Sequence, residues 1–184
     1  MKKTIILLVL IGLIATLFCM PSCASKENEF NFIFKYGYSS TPKNVLDTYK
    51  ETYTKDMVSD PSVTIKMVLS GEELDSILQK MKEIDFFNYP DEFIIIIAPG
   101  STKVLVTPNL KYHFKVEYEG EIKELWWNDE IVWQDEFLKE LQEEIILENK
   151  EEVVKLYEFI SLIRSIIENK EEYKELPKPR GAYV

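Results

Sequence analysis

Hydrophobic and polar residues alternate along the early part of the chain in the pattern of β-strands. Residues 30–38 carry an aromatic ring at every second position, and residues 62–69 alternate in the same way. A period of two places alternate side chains on one face of a strand, so we predict a strand in each segment. Residues 45–55 combine a helical four-residue spacing with many Thr and Tyr residues. Because those two residue types favour the pleated backbone, we predict a third strand there.

A helix is predicted to follow Ser70. Ser70 and Glu73 have the spacing of a capping box, in which each side chain accepts a hydrogen bond from the backbone N–H of the other. Pro90 marks the end of this part of the chain, because proline does not continue a helix. The apolar positions recur at intervals of three and four residues, which places them on one helix face. They are Leu74, Ile77, Leu78 and Met81.

Residues 93–98 form an unbroken apolar run between two proline-containing segments. The run predicts either a strand that is covered on both faces or the edge of a loop that packs inward. A β-hairpin is predicted over residues 112–127, with its turn at Glu119 and Gly120, because both arms alternate and glycine adopts positive φ readily. Residues 104–106 are a candidate short strand.

The last third of the chain has helical periodicity. Apolar residues repeat at helical spacing through residues 135–169, either as one helix or as two with a break near Asn149. Residues 177–184 begin with a proline and are predicted to be a loose tail. Strands joined by short turns and followed by helices predict one α+β domain over residues 30–176. We expect an antiparallel sheet with amphipathic helices packed on one face.

The first 22 residues have the pattern of a signal peptide. Two lysines precede an apolar run over residues 4–18, which is shorter than the about 20 residues that a membrane-spanning helix needs. Cys23 follows this run directly after the small residue Ser22, an arrangement that resembles a bacterial lipobox, although Pro21 departs from the usual pattern. The resemblance implies that the Cys23 thiol receives a diacylglycerol and becomes the new N-terminus. Residues 23–29 would then be an acylated, flexible tether.

Two other fates of this segment stay open. Ser22 and Ala24 also fit an ordinary secretory cleavage site, which would release a soluble protein, and the apolar run extended to Met20 would serve as an uncleaved membrane anchor. All three fates place the folded domain outside the cytoplasm, and the anchored forms place it on the extracellular face of the cell membrane. The absence of cysteine after Cys23 agrees with an oxidising compartment.

Composition and charge narrow the function classes. The chain has 184 residues, of which 46% are hydrophobic and 12% aromatic, so it can fill a core and is not an acidic disordered chain. Its net charge of −10 disfavours nucleic-acid binding, which needs Lys and Arg against phosphates. Loss of Lys2 and Lys3 with the signal peptide changes the charge from −10 to −12. An anionic bilayer repels such a domain, so acyl chains have to hold it there.

The motifs contain no catalytic or metal-binding constellation. The single histidine, His113, is predicted to be solvated on the polar face of its strand, and the sequence has no Gly-x-Ser-x-Gly elbow or Gly-rich phosphate loop. We therefore predict no catalytic residue, no cofactor and no metal. The 32 acidic residues leave one alternative, a small cell-wall hydrolase that uses two carboxylates. The adjacent acidic pairs are nevertheless predicted to be solvated, and they lie at 129–130, 135–136, 143–144 and 151–152.

Three tryptophans offer a lead to a binding site. Trp126 and Trp127 point to opposite faces of one strand, so at most one of them is buried there, and Trp133 lies in the following connection. An exposed tryptophan anchors a protein partner or stacks on a sugar. Trp127 and Trp133 are therefore the candidate partner-binding residues, and the alternative is that both pack beneath the C-terminal helix.

Four segments resemble a known family. They are residues 52–57 (TYTKDM), 69–74 (LSGEEL), 84–90 (IDFFNYP) and 122–127 (IKELWW). In this layout they are similar to a family of small uncharacterised lipoproteins from Gram-positive bacteria, and the likeness spans most of the predicted domain. The resemblance implies a lipoprotein with an α+β domain and implies no reaction. We therefore expect a monomeric, membrane-anchored extracytoplasmic domain with a non-catalytic binding or structural role, whose partner is a protein or a cell-wall component.

Overall fold

The structure, a computed structural model, describes residues 30–101, 108–130 and 147–183. The strands in these ranges are β1 (Asn31–Gly37), β2 (Asn44–Asp47), β3 (Thr52–Met57), β4 (Asp60–Lys66), β5 (Glu92–Phe93), β6 (Leu110–Tyr118) and β7 (Glu121–Asp129). The helices are α1 (Gly71–Glu83), α2 (Lys150–Asn169) and the short α3 (Glu171–Lys174), with a 3₁₀ turn at Phe86–Asn88. The strands form one sheet in the order β4-β3-β2-β1-β6-β7-β5.

The domain has the predicted α+β architecture, with a mixed sheet. Neighbouring strands are antiparallel except β5 and β7, which run parallel. The expectation of a purely antiparallel sheet is wrong at this edge. The expectation followed from the rule that strands joined by short turns pair antiparallel. No short turn joins β5 to β7, because β6 lies between them in the sequence.

Several predicted features lie outside the described residues. They are the signal peptide, Cys23, the tether, the candidate strand at 104–106, Trp133 and the first part of the C-terminal helical region. Within the described ranges, no helix is long and apolar enough to cross a lipid bilayer.

An aromatic cluster joins the sheet to the helices. The ring of Phe114 on β6 lies 4.6 Å from that of Phe34 on β1 and 5.3 Å from that of Phe159 on α2, measured between centroids. Phe86 of the 3₁₀ turn approaches the same ring at 5.5 Å, and all four residues are fully buried. Burial of a side chain of this size stabilises a fold by about 1.5–3 kcal/mol, so the cluster is a major source of stability.

Residues 45–55 form two strands, β2 and β3, where the sequence pattern predicts one. A tight turn separates them. The backbone N–H of Lys50 donates to Oδ1 of Asp47 at 3.1 Å, and Glu51 has a left-handed φ of 52°. The Thr and Tyr residues indicate strand correctly. The turn depends on a bond from a side chain to the backbone, which strand propensity does not register.

The apolar run at residues 93–98 is not a strand covered on both faces, so that prediction is wrong. Only Phe93 belongs to β5. Ile94 and Ile96 point outward with exposed fractions of 61% and 41%, whereas Ile95 and Ile97 pack against the core. The run therefore has one apolar face toward the core and a second one toward solvent.

Helix α2 begins at Lys150, directly after Asn149. Leu147, two residues before Asn149, forms an antiparallel bridge with Ile97 and is not helical. Of the two alternatives for residues 135–169, the structure therefore supports a helix that starts after Asn149.

Residues 177–183 are held in place, which corrects the prediction of a loose tail. The Arg180 guanidinium makes two hydrogen bonds to the Asp60 carboxylate, at 2.7 and 2.6 Å, and the Arg180 carbonyl accepts from the backbone N–H of Ser59 at 3.2 Å. The Tyr183 hydroxyl donates to Oδ2 of Asp56 at 2.6 Å. The prolines in this segment end the helical structure, but the extended backbone that follows pairs with the turn between β3 and β4.

The predicted capping box at the start of α1 is confirmed. Oγ of Ser70 accepts from the backbone N–H of Glu73 at 3.2 Å, and Oε2 of Glu73 accepts from the backbone N–H of Ser70 at 2.7 Å. Nζ of Lys170, at the end of α2, also donates to Oε2 of Glu73 at 2.6 Å. The start of one helix is thereby joined to the end of the other.

We expect Ser70→Ala to lower the free energy of unfolding by about 1 kcal/mol, because it removes the acceptor of the Glu73 backbone N–H. The matched control is Ser76→Ala. The Ser76 hydroxyl only donates back to the Glu72 carbonyl within α1, so we expect a change within about 0.5 kcal/mol. Urea unfolding followed by circular dichroism measures both, and equal effects would contradict the assignment.

Candidate functional site

A cleft of about 490 Å³ opens where β5 and β7 separate. The two strands are joined at one end, where the backbone N–H of Trp126 donates to the Asp91 carbonyl at 2.7 Å and Lys123 makes an ion pair with Asp91 at 2.5 Å. Beyond Phe93 they diverge. One wall is Phe93, Ile94, Ile95 and Ile97, the other is Lys111, Trp126, Trp127, Asn128 and Glu130, and Ser40 and Glu92 complete the lining. We call this the β5–β7 cleft.

Asn149 holds the first wall of the cleft in place. Its side-chain amide donates to the Ile94 carbonyl at 2.8 Å and accepts from the Ile96 backbone N–H at 2.9 Å. The backbone N–H of Glu148 donates to the Ile96 carbonyl at 2.8 Å. The Asn149 side chain makes no capping bond to α2. Asn149 therefore stands at the helix boundary, but its side chain bonds to the cleft wall and does not cap the helix.

Of the two adjacent tryptophans, Trp127 packs beneath the C-terminal helix, which is the alternative to its candidate role in partner binding, and Trp126 is the exposed one. Trp127 is only 1% exposed and packs against Tyr157 of α2, with ring centroids 4.6 Å apart, whereas Trp126 is 44% exposed. Trp127 is therefore a wall and core residue, and Trp126 is the tryptophan that a partner can reach. The register of the predicted hairpin already distinguishes the buried tryptophan from the exposed one. Trp127 lies opposite Tyr112, whose parity along β6 is that of the core residue Phe114.

His113 is buried beneath Trp126, which corrects the prediction of a solvated histidine. The two rings stack with centroids 3.8 Å apart and planes inclined by 19°, and His113 is 6% exposed. Its Nε2 lies 3.5 Å from Oε2 of Glu124. Alternation along β6 correctly assigned His113 to the face opposite the core, but only the register with β7 brings the indole over it.

The environment of His113 keeps its ring neutral. Burial is the largest effect and lowers the pKa below its ordinary value, and the charges of Lys35 and Lys115 act in the same direction. The Glu124 carboxylate opposes them without outweighing them. Trp126 therefore stacks on an uncharged imidazole ring whose position is fixed by burial.

Asp129 is buried at the end of β7, so the prediction that the 129–130 pair is solvated is wrong for Asp129. The Tyr157 hydroxyl donates to its Oδ2. The Asp129 charge also contributes to the raised pKa of Tyr112, after the larger effect of burial. These contacts attach the end of β7 to α2, so we assign Asp129 a structural role beneath the cleft.

A second cavity of about 300 Å³ lies between β1, β3, α2 and the C-terminal segment. The hydroxyls of Tyr36 and Tyr53 form a hydrogen bond of 2.7 Å, and burial raises the pKa of Tyr36 to about 12. The Arg164 guanidinium carbon lies 5.4 Å from the centre of the Tyr36 ring, and Arg164 also pairs with Glu168 at 3.2 Å. Most of these polar groups pair with one another, and the cavity is smaller than the β5–β7 cleft, so it is the weaker candidate.

The lining of the β5–β7 cleft supports binding better than chemistry. It has apolar and aromatic walls, the amide of Asn128 and the charges of Glu92, Glu130 and Lys111. Its volume lies within the roughly 300–1,000 Å³ of small-ligand sites. In the part of the chain that the structure describes, no three His, Cys, Asp or Glu side chains are grouped so that they could hold a metal ion.

We expect Asn149→Ala to destabilise the protein by about 1–2 kcal/mol, because two hydrogen bonds to the cleft wall are lost. Hydrogen exchange at residues 94–97 should accelerate more than exchange in the core strands. Asn169→Ala, at the opposite end of α2, is the matched control because its amide makes only a 3.4 Å contact with Ser165. Unchanged exchange at residues 94–97 in Asn149→Ala would contradict the role of this side chain.

The buried His113 predicts that stability falls on mild acidification. Its folded pKa lies below the ordinary value of 6.5, so the unfolded chain binds more protons between these two values. The contribution is complete above about pH 6.5 and is lost as the pH falls from there through the folded pKa. The stability advantage of the wild type over His113→Gln should therefore shrink between about pH 8 and about pH 5 in urea unfolding. A stability advantage of the wild type that stays constant over this pH range would contradict the prediction.

Neither a scan against protein-family models nor a search of curated proteins returns a match to this chain. The case for a function therefore rests on the geometry of the β5–β7 cleft and on the pattern of the N-terminal segment.

Proposed function

We propose that this protein is a lipid-anchored extracytoplasmic domain that binds a partner without catalysis through the β5–β7 cleft. The observation that carries the proposal is that two large apolar side chains lining the cleft, Trp126 and Ile94, are exposed, with the exposed Ile96 two residues further along the first wall. Large apolar side chains grouped around a concave site are typical of binding surfaces, and tryptophan is prominent among their central residues.

The exposed ring of Trp126 is already ordered before a partner arrives. Its contact with His113 holds one side of the indole, while 44% of the residue stays accessible. A side chain that is fixed in advance loses little conformational entropy on binding, so more of its contact energy is available to the complex. The Asn149 bonds to Ile94 and Ile96 give the same advantage to the opposite wall.

The N-terminal pattern supports attachment to the membrane through Cys23. Only six residues, 24–29, would separate the acylated cysteine from the first described residue, Phe30. A fully extended chain of that length spans at most about 20 Å. The tether would therefore keep the domain close to the bilayer, which favours a partner at the cell surface.

One observation favours the alternative of a carboxylate-dependent cell-wall hydrolase. Glu92 and Glu130 both line the β5–β7 cleft, and paired carboxylates are the machinery of glycoside hydrolysis. Purified full-length protein incubated with insoluble peptidoglycan distinguishes the two functions. We expect no release of soluble reducing sugar, and release that disappears in Glu92→Gln would establish the hydrolase instead.

We expect Cys23→Ser to move the protein from the membrane fraction to the soluble fraction, because the acylated thiol is lost. Cys19→Ser is the matched control, since that cysteine follows the bulky Phe18 and does not fit the lipobox. Fractionation and the mass of the mature N-terminus measure the outcome. A Cys23→Ser protein that stays membrane-bound would exclude lipidation at this residue.

We expect a photo-crosslinking residue at position 94 to form partner adducts on intact cells, and one at position 122 to form few. Ile94 and Ile122 have nearly equal exposed fractions, 61% and 60%, but Ile122 lies toward the other end of β7 and away from the cleft. Trp126→Ala should reduce the adducts at position 94. Equal adduct formation at positions 94 and 122 would contradict the proposed binding site.

A further inference from the structure

Trp126 presents one flat face of its indole ring to solvent. The His113 ring covers the opposite face, with centroids 3.8 Å apart and planes inclined by 19°. Trp126 is nevertheless 44% exposed, so its accessible area lies on the uncovered face and along the ring edge. Because the His113 ring beneath it is buried, the indole is a flat apolar surface whose position is set before a ligand arrives.

Polar side chains border this flat surface. Trp126 pairs with His113 of β6 on one side and with Glu92 of β5 on the other, and residues directly opposite each other in a sheet point to the same face. Asn128 follows Trp126 by two residues, which returns it to this face, and Lys111 is its partner on β6. Neighbouring strands lie about 5 Å apart, and alternate residues of one strand about 7 Å apart. A carboxylate, an amide and an ammonium group therefore surround the indole, and all three residues line the β5–β7 cleft.

These three side chains are available to a ligand. Glu92 and Asn128 are exposed, and Lys111 is half-buried. Within the described ranges, none of the three makes a side-chain hydrogen bond or ion pair. Glu124, which lies two residues before Trp126 on β7, is by contrast paired with Lys115 at 3.8 Å. The polar groups without a partner in the described chain therefore lie on the cleft side of the indole.

We propose that the β5–β7 cleft binds a neutral glycan by stacking one of its N-acetylhexosamine residues on Trp126. This inference rests on the proposed function of the cleft as the binding site. A pyranose chair with equatorial substituents has a flat C–H face, which packs on an aromatic ring, and hydroxyl groups that project outward from its rim. Each hydroxyl donates and accepts, so one sugar ring can bond to carboxylate, amide and ammonium groups together.

The charges beside the indole favour a neutral ligand. Glu92 and Lys111 carry opposite charges, and a hydroxyl forms charge-assisted hydrogen bonds with both. Glu130, the other charged residue of the lining, is half-buried and has a partner of its own. The net charge of −10 disfavours an anionic polymer. A protein partner is disfavoured because tryptophans at the centres of protein interfaces are surrounded by contacts that exclude water, whereas charged side chains adjoin Trp126.

Ile94 adds a preference for the acetamido substituent. It is 61% exposed and lines the same cleft. A plain hexose offers only hydroxyl groups to this wall, which leaves the apolar side chain without a favourable contact. An acetamido group offers a methyl group that Ile94 can bury and an amide that pairs with the side-chain amide of Asn128. The lining therefore favours an N-acetylhexosamine over an unmodified hexose.

The probe is chitotetraose, a neutral oligomer of N-acetylglucosamine, titrated into the purified full-length protein in detergent micelles. We expect a Kd below about 1 mM by calorimetry, with a change in tryptophan fluorescence on binding. Cellotetraose has the same linkage without acetamido groups, and we expect it to bind about tenfold more weakly or worse. Equal affinities for the two oligomers would refute the N-acetylhexosamine assignment.

Variants of the exposed ring test whether the sugar stacks there. Trp126→Ala should weaken chitotetraose binding by about tenfold or more, and Trp126→Phe, which keeps a smaller ring, should weaken it less. The matched control is Tyr49→Ala, because Tyr49 is also 44% exposed but lies in the turn between β2 and β3. We expect the control to change the affinity less than about twofold. Equal effects of Trp126→Ala and Tyr49→Ala would overturn the placement.

A variant of the opposite wall tests the contact with the acetamido group. Ile94→Ser should lower the preference for chitotetraose over cellotetraose by about threefold or more. The matched Ile122→Ser, at a residue that is 60% exposed and away from the cleft, should leave the preference unchanged. Circular dichroism of each variant distinguishes loss of the site from loss of the fold. A preference that survives Ile94→Ser would refute the acetamido contact.

The outcomes also distinguish the inference from the proposed function. If chitotetraose does not bind while position 94 still forms adducts on intact cells, the cleft binds another class of partner and the inference fails alone. Binding that Trp126→Ala leaves unchanged would place the sugar elsewhere and would likewise refute the inference. If neither sugar binding nor adducts are found, both the inference and the proposed function fail.

Discussion

The register of the β6–β7 hairpin is the constraint on which the geometry of the β5–β7 cleft depends. A two-residue turn with positive φ at Glu119 (53°) and Gly120 (82°) joins the strands and sets every pair behind it. Because side chains alternate with a period of two, a slip by one residue would exchange Trp126 and Trp127 between solvent and core. The packing of Trp127 against Tyr157 of α2 opposes such a slip, because the slip would remove this contact.

The cleft exists because the chain after Phe93 forms its hydrogen bonds with the residues before α2 and no longer with β7. Asn149 and Glu148 supply hydrogen bonds to Ile94 and Ile96, and these bonds draw the first wall away from β7. At the joined end, the Asp91 contacts keep β5 against β7. The sheet therefore ends in a parallel pair that separates after two residues, and the separation opens the β5–β7 cleft.

The same arrangement fixes the walls of the proposed binding site before any partner arrives. Its two most exposed features, a tryptophan and an apolar loop, are each fixed from behind, by His113 and by Asn149. The buried carboxylate beneath it, Asp129, is bonded to Tyr157 and faces the helix. Preorganised apolar walls lower the entropic cost of association.

Local patterns in the sequence determined the elements that depend on near neighbours. The alternation of β1 and of the hairpin and the capping box at Ser70 are all readable within about ten residues. Only the tertiary structure decided that His113 is covered and that the C-terminal segment is held. Those outcomes depend on contacts between residues far apart, such as Asn149 with Ile94 across 55 positions and Arg180 with Asp60 across 120. No local periodicity carries such information, because it arises only when the packed sheet brings distant backbone groups into hydrogen-bonding distance.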